Sequence, residues 1–330
     1  MYYLESPSND PRWNLALEQY VFDSCDRSHN YFMLWQNHNT IVVGKYQNTE
    51  GEINNDYVRE KGITVVRRLS GGGAVYHDMG NLNFTFIVDA NEAERINFRM
   101  FCEPIVRTLA SFGVKAEISG RNDITVDGKK FSGNSQYLRE GRVMHHGTIL
   151  FRSDPTIISN ALRVDRDKLE SKGVKSVVSR VANLIDYLPE GTTLADFKQR
   201  LLEEVARSEP VQTLTLSEDA LRTIDGIKRS RYDTWEWNYG RSPGYTDRRS
   251  SRIPGVGKVE ISLEVKGGVM RELQFFGDFF ENSDVSALAE LLRGCLCRRD
   301  AILARLAGHD PADYIRGLTA EALAELLAAQ

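Results

Sequence analysis

Residues 65–76 read Val65-Val66-Arg67-Arg68-Leu69-Ser70-Gly71-Gly72-Gly73-Ala74-Val75-Tyr76. A β-branched run passes straight into two arginines and then three consecutive glycines. Such glycines cost backbone entropy, and strand propensity would not select them. They let main-chain N–H groups approach an anion or a flat ligand, and a neighbouring guanidinium offers a planar fork for phosphate or carboxylate. The plainer reading is a flexible turn carrying two solvated arginines. The loop lacks the GxxxxGK[ST] of a P-loop and the GxGxxG of a dinucleotide fingerprint.

Working outward, the chain alternates helix and strand. Trp13, Ala16, Leu17, Tyr20 and Val21 fall on one helical face, with Asp10 and Pro11 suited to its start. β-rich runs follow at 31–35, 40–44, 63–69 and 82–88. A helix is predicted over 96–112, stopped by Gly113. Residues 124–126 and 129–133 flank Asp127-Gly128, a strong two-residue hairpin signal. Strand 143–151 and helix 194–205 complete a large α+β domain, set at 1–245. Residues 246–256, rich in Ser, Pro and Gly without apolar periodicity, read as a linker. Beyond them a hairpin (258–265 and 270–276) and helices near 285–292 and 320–327 make a small α+β domain over 257–330.

Composition bounds the function. In 330 residues, 42 Lys+Arg against 46 Asp+Glu leave −4, with no electrostatic footprint for nucleic acid or an anionic membrane. No apolar run reaches membrane-span length, and Met1–Glu5 lacks a secretion-signal layout. Four cysteines (Cys25, Cys102, Cys295, Cys297) form neither a disulfide framework nor a CxxC pair. The expectation is a cytoplasmic protein.

A second chemistry-bearing stretch runs Gly120-Arg121-Asn122-Asp123, then Lys129-Lys130-Phe131-Ser132-Gly133, then His145-His146-Gly147. A lysine beside a Ser-Gly turn, near Asp and Asn, places an ammonium where it can meet a carboxylate or phosphate. A plain surface lysine pair reads the same way. Adjacent histidines on a strand face opposite ways, so they cannot share one metal.

These motifs together resemble the lipoate–protein ligase A family: RRLSGGGAVYHDMGNLNFTF (67–86), GRNDITVDGKKFSGNSQ (120–136), HHGTILF (145–151), KSVVSRV (175–181) and WEWNYGRSP (235–243). Phe276-Gly277-Asp278-Phe279 and Gly294-Cys295-Leu296 resemble the accessory domain of its two-domain members. The resemblance implies a mixed β-sheet domain with flanking helices, in the fold shared with biotin ligases. It implies that lipoate attacks the α-phosphate of ATP, with Mg²⁺, giving lipoyl-adenylate and pyrophosphate. A lysine of a lipoyl domain then takes the acyl group. The acceptors implied are the E2 subunits of 2-oxoacid dehydrogenases and the glycine cleavage H protein, and the enzyme is expected as a monomer.

Carried onto this sequence, Arg68, Gly73, Ala74, Val75, Tyr76 and Lys130 face ATP. Lys130, Ser70, Gly72 and His77 face lipoate, Lys130 is the catalytic residue, and Asp123 is the carboxylate chosen for the metal. Joining a carboxylate to a triphosphate brings anions together, which fixed cations such as Arg68 and Lys130 offset. Tyr137 and Arg139 stand where some relatives place an arginine near the acyl site, and that contact stays unassigned. The alternatives are a lipoyl or octanoyl transferase of the same fold, which would need a cysteine nucleophile, and a lipoate-binding protein without activity.

Overall fold

Asp10 and Pro11 open the first long helix as the sequence predicts. The Asp10 side chain accepts from Arg12 N at 2.9 Å, and the helix runs Pro11–Ser24 with Leu15, Ala16, Leu17 and Val21 buried. The computed structural model describes residues 1–89, 98–120, 122–162, 181–239 and 247–328. The strands are β1 (Tyr2–Glu5), β2 (Tyr31–Trp35), β3 (Thr40–Val43), β4 (Thr64–Arg67), β5 (Val75–His77), β6 (Asn81–Asp89), β7 (Ala116–Ser119), β8 (Asp123–Val126), β9 (Lys129–Arg139), β10 (Arg142–Leu150), β11 (Gln212–Thr213), β12 (Asp247–Ile253), β13 (Gly257–Lys266) and β14 (Val269–Gly277).

Eight of them form one mixed sheet, in the order β11-β1-β2-β6-β10-β9-β8-β7. β1 runs parallel to β2 and β11, and the neighbours from β2 to β7 pair antiparallel. Helices Phe98–Ser111 and Leu194–Ala206 bury Phe101, Ile105, Leu109, Phe197 and Leu201 against Phe84, Ile124 and Phe131 of the sheet. The second of these helices starts in a capping box between Thr193 and Asp196. The hairpin signal holds: Asp127 and Gly128 take φ of 49° and 71°, the conformation of a type I′ turn. Lys175–Arg180, Arg121 and 240–243, which belong to the quoted motifs, and the predicted helix start at 96–97 lie outside the described residues.

Packing divides the chain into two compact units, and the division does not follow the sequence. One comprises Met1–Val42, Ile53–Val66 and Val75–Asn238, and the other Val43–Glu52, Arg67–Ala74 and Tyr239–Gln330. The second unit has its own sheet, β12-β13-β14, with a core of Val259, Ile261, Leu263, Phe279, Leu288, Leu292, Ile302 and Leu323. Helices Val285–Leu292 and Ala320–Leu327 fall where their apolar spacing predicts. The segment expected as a linker is different: Asp247–Ile253 is the edge strand β12, paired along β13 from Asp247↔Leu263 to Ile253↔Gly257. An edge strand takes its hydrogen bonds from one neighbour and leaves many side chains in water, so Arg and Ser serve it without apolar periodicity.

Candidate active site

In the first unit, the β8–β9 hairpin presents Lys129 and Lys130. The register slips by one residue, with Ile124 opposite Ser132 but Thr125 opposite Lys130, so Phe131 is the extra residue of a β-bulge. Phe131 is buried in the core, which anchors the strand from below. Lys130 Nζ lies 2.7 Å from Asp123 Oδ1, and both side chains are a little over one-third exposed. The Lys130 chain passes across Gly133. A Cβ on Gly133 would stand 2.8 Å from Nζ and 2.9 Å from Cε. The Lys130 carbonyl accepts from Ala182 N at 2.9 Å, which fixes the backbone from its other side. Lys129 is exposed and lines a separate cleft of about 200 Å³ with Leu150, Asn183, Asp186 and Tyr187.

Val75, Tyr76 and His77 form β5 against β3, with Tyr76 opposite Ile41 and His77 opposite Thr40. Tyr76 donates to Asn39 Oδ1 at 3.0 Å, and burial pushes its hydroxyl up to about 12. His77 is buried, its Nδ1 3.1 Å from Asn37 Nδ2, with Trp35 edge-on to the ring. Sequence reasoning gave no role to the polar chain beside it. Trp35 Nε1 donates to Thr85 Oγ1 at 2.9 Å, Thr85 donates to Glu18 Oε1, and His146 Nδ1 stands 3.0 Å from the same carboxylate. Glu18, falling at helical spacing with Leu15, Val21 and Phe22, was its one local signal. His145 turns the other way, between Gln136 and Asn134, and stacks on Phe101. The two histidines diverge, as strand alternation requires.

In the second unit, Arg68 braces the glycine loop from inside, while Arg67 holds the neighbouring segment 44–49. Arg67 donates from Nη1 to the carbonyls of Gly44, Lys45 and Gln47 and from Nη2 to Thr49 Oγ1; burial lowers its guanidinium to about 10. Arg68 donates from Nη2 to Gly71 O at 2.6 Å and Gly73 O at 2.9 Å, and from Nε to Ser70 Oγ at 3.1 Å. Its fork therefore shapes the loop here. The glycines do separate work. A Cβ on Gly71 would meet Phe279 O at 2.4 Å. Gly72 has φ of 90°, donates its N–H to Phe279 O at 2.9 Å and lies under the Phe280 ring. Gly73 is open, with nothing nearer than Asp278 Cβ at 4.0 Å.

The Gly277–Glu281 turn that meets this loop carried no role in the sequence reading. Phe279 stacks on Tyr46, Lys45 Nζ pairs with Glu281 Oε2 at 2.8 Å, and Tyr46 donates to the same oxygen. No local pattern announces a contact between residues two hundred positions apart.

In the first unit an ammonium stands beside a carboxylate on a sheet hairpin, and in the second a glycine loop is held in shape by an arginine; each is an arrangement suited to handling anions. The lipoyl protein ligase A/B catalytic domain model matches residues 10–206, and the bacterial lipoate protein ligase C-terminus model matches residues 242–327. Lipoate-protein ligase LplJ of Bacillus subtilis is 45% identical over 322 residues, covering 97% of each chain. The solved structure of P. falciparum LipL1 in complex with lipoate shares the fold, with a TM-score of 0.78 at 24% identity over 96% of this chain and 95% of that one. A crystal structure of lipoate-protein ligase A bound with ATP has a TM-score of 0.64 at 25% identity, over 72% of this chain and 97% of that one. The chain belongs to the lipoate–protein ligase family.

Proposed function

We propose that this chain joins lipoate to ATP, releasing pyrophosphate, and passes the lipoyl group from the adenylate to a lysine of an acceptor lipoyl domain. The observation that carries this reading is Lys130. Its ammonium is partly exposed and laid over Gly133 on a hairpin anchored by Phe131. A lipoate carboxylate oxygen attacks the α-phosphorus while the bond to the pyrophosphate oxygen breaks. Lys130 draws the two anions together and offsets the charge developing between them. Arg68 holds the glycine loop in shape, so that Gly73, Ala74, Val75 and Tyr76 present backbone to the nucleotide, and Ser70, Gly72 and His77 serve the acyl side. In the second step the acceptor amine attacks the acyl carbon, AMP leaves, and the amine loses a proton. No enzyme nucleophile is needed, because holding the reactants in line supplies several kcal/mol.

Mg²⁺ would neutralise charge on the triphosphate. Among the described residues no group of three or more His, Cys, Asp or Glu side chains is arranged to hold an ion. The donor set thus fits an ion carried by phosphate oxygens and water, and Asp123, the carboxylate chosen for the metal from the sequence, stands 2.7 Å from Lys130 Nζ. The acceptors proposed are the lipoyl domains of 2-oxoacid dehydrogenase E2 subunits and the glycine cleavage H protein, met in the cytoplasm by a monomeric ligase. Among the described residues no helix is long and apolar enough to cross a membrane.

A transferase of the same fold would need a reactive thiol, and the cysteines argue against it. Burial pushes Cys102 up to about 12 and also raises Cys25, Cys295 and Cys297. A thiolate nucleophile requires the opposite shift. Pyrophosphate release from ATP stimulated by lipoate tests the reading. Acyl transfer that proceeds without ATP would overturn it.

A further inference from the structure

Sequence motifs explain why Lys130 is a lysine but not why its neighbours are Asp123 and Gly133. The Asp123 carboxylate forms an ion pair with Lys130, Oδ1 to Nζ 2.7 Å, across the β8–β9 pair, where Asp123 stands opposite Gly133 in register. Gly133 has an ordinary backbone conformation, so the turn does not require glycine there. What it lacks is a Cβ, and the space a Cβ would take is filled by the Nζ and Cε of Lys130. Around this point the strand is tied down. Asn122 Nδ2 donates to Asn134 O at 2.8 Å, Asn134 Nδ2 donates back to Asn122 O at 3.1 Å, and Gly133 N donates to Thr148 Oγ1 at 3.2 Å. A flexible four-carbon side chain is thereby given a floor at Gly133 and a stop at Asp123.

We infer that Asp123 and Gly133 are positioning residues for Lys130: they hold its ammonium in one place before substrates arrive. The inference rests on the reading of Lys130 as the activating cation. An unheld lysine has many rotamers to lose on meeting the transition state, and this cradle removes that loss beforehand. Asp123 then acts through Lys130 and gives up its contact as the substrate anions take it over.

Steady-state and single-turnover pyrophosphate release separate the possibilities. Misplacing a reacting group by about 1 Å costs on the order of 10²-fold, so Asp123→Asn is expected to lower kcat by roughly 10- to 100-fold. KM for ATP and the Mg²⁺ concentration for half-maximal rate should stay within about twofold of wild type, since ground-state binding is not removed. Gly133→Ala should lower kcat comparably while leaving the melting temperature near wild type, because only the far end of a flexible side chain must move. In a Lys130→Ala background, Asp123→Asn should add nothing, because residues acting as one unit are non-additive. A raised Mg²⁺ requirement, or a further loss in the double variant, would make Asp123 a metal ligand and overturn the inference. Unchanged kcat in both Asp123→Asn and Gly133→Ala would also overturn it. Full activity in Lys130→Ala alone would instead remove the parent reading.

Discussion

The hairpin that carries Lys130 and the glycine loop that carries Arg68 both present positive charge, yet they are built on opposite plans. The hairpin is local. Asp127-Gly128 turns it, Phe131 anchors it and Asp123 holds its lysine, all within about a dozen residues. The loop is remote. Arg68 holds the loop's own carbonyls, but Gly71 and Gly72 are shaped to meet the turn at Phe279, and Lys45, tied to the loop through its N–H to Ser70 O, pairs with Glu281. Local construction sets the hairpin's turn and the lysine's ion-pair partner within its own stretch of sequence. Remote construction makes the loop's shape depend on the last quarter of the sequence.

The sharpest break of this comparison is at the lysines. Removing one charge-assisted contact from a preorganised site costs about 3–4 kcal/mol, so Lys130→Ala should lower adenylation by roughly 10²–10³-fold. Lys129 is exposed and faces the cleft with Asp186 and Tyr187, so Lys129→Ala should remain within a few-fold of wild type. Equal losses in the two variants would show that strand alternation does not separate them. Acyl transfer from supplied lipoyl-adenylate should suffer less in Lys130→Ala than the full reaction does.

The glycines test the remote plan next. Gly71→Ala drives a Cβ to 2.4 Å from a backbone carbonyl. Overpacking of this kind costs typically about 1–3 kcal/mol, which should appear as a lower melting temperature. Gly73→Ala meets only Asp278 Cβ, at an unstrained 4.0 Å, so stability should change by less than about 0.5 kcal/mol. If ATP lies against Gly73, that variant loses ATP affinity with its melting temperature intact. Equal melting losses at the two positions would contradict the separate roles.

Arg68→Lys tests the brace inside the loop. A lysine keeps the charge but cannot hold Gly71 O, Gly73 O and Ser70 Oγ together in one planar fork. Each charge-assisted hydrogen bond lost is worth about 1.5–3 kcal/mol, partly recovered by the ammonium. Calorimetric titration should show ATP affinity weakened more than lipoate affinity. The reverse order would move Arg68 to the acyl side.

How legible this was follows the same division. Strands β2 and β3 and the β13–β14 hairpin sit within a residue or two of where apolar runs and turn residues place them, because each is decided by its own side chains. The type I′ turn beside Lys130 is readable for the same reason. The loop at 67–74 was readable as unusual, but not as three glycines with three jobs. Gly71 is glycine because of Phe279 O, and that partner is invisible from the loop's own sequence. Strand β12 failed in the other direction. Its Arg and Ser residues look like a linker because an edge strand is satisfied by backbone pairing that composition does not record.

The smallest expected effect concerns the brace behind the loop. Glu281 is buried, and although Lys45 and Tyr46 both favour its ionised form, burial outweighs them and holds its carboxyl above the ordinary glutamate range. A carboxyl raised on folding binds its proton more tightly in the folded chain than in the unfolded one. Its contribution is therefore fully present below the unfolded value, about 4.3, and is lost as pH rises through the raised folded value. Glu281→Gln removes that titration. Denaturant unfolding from pH 4 upward should show the stability of wild type relative to Glu281→Gln falling with pH and then levelling. If it instead rises with pH, the Lys45 ion pair outweighs burial. The brace would then be strongest when ionised, and the remote plan would rest on charge where the fold shows burial.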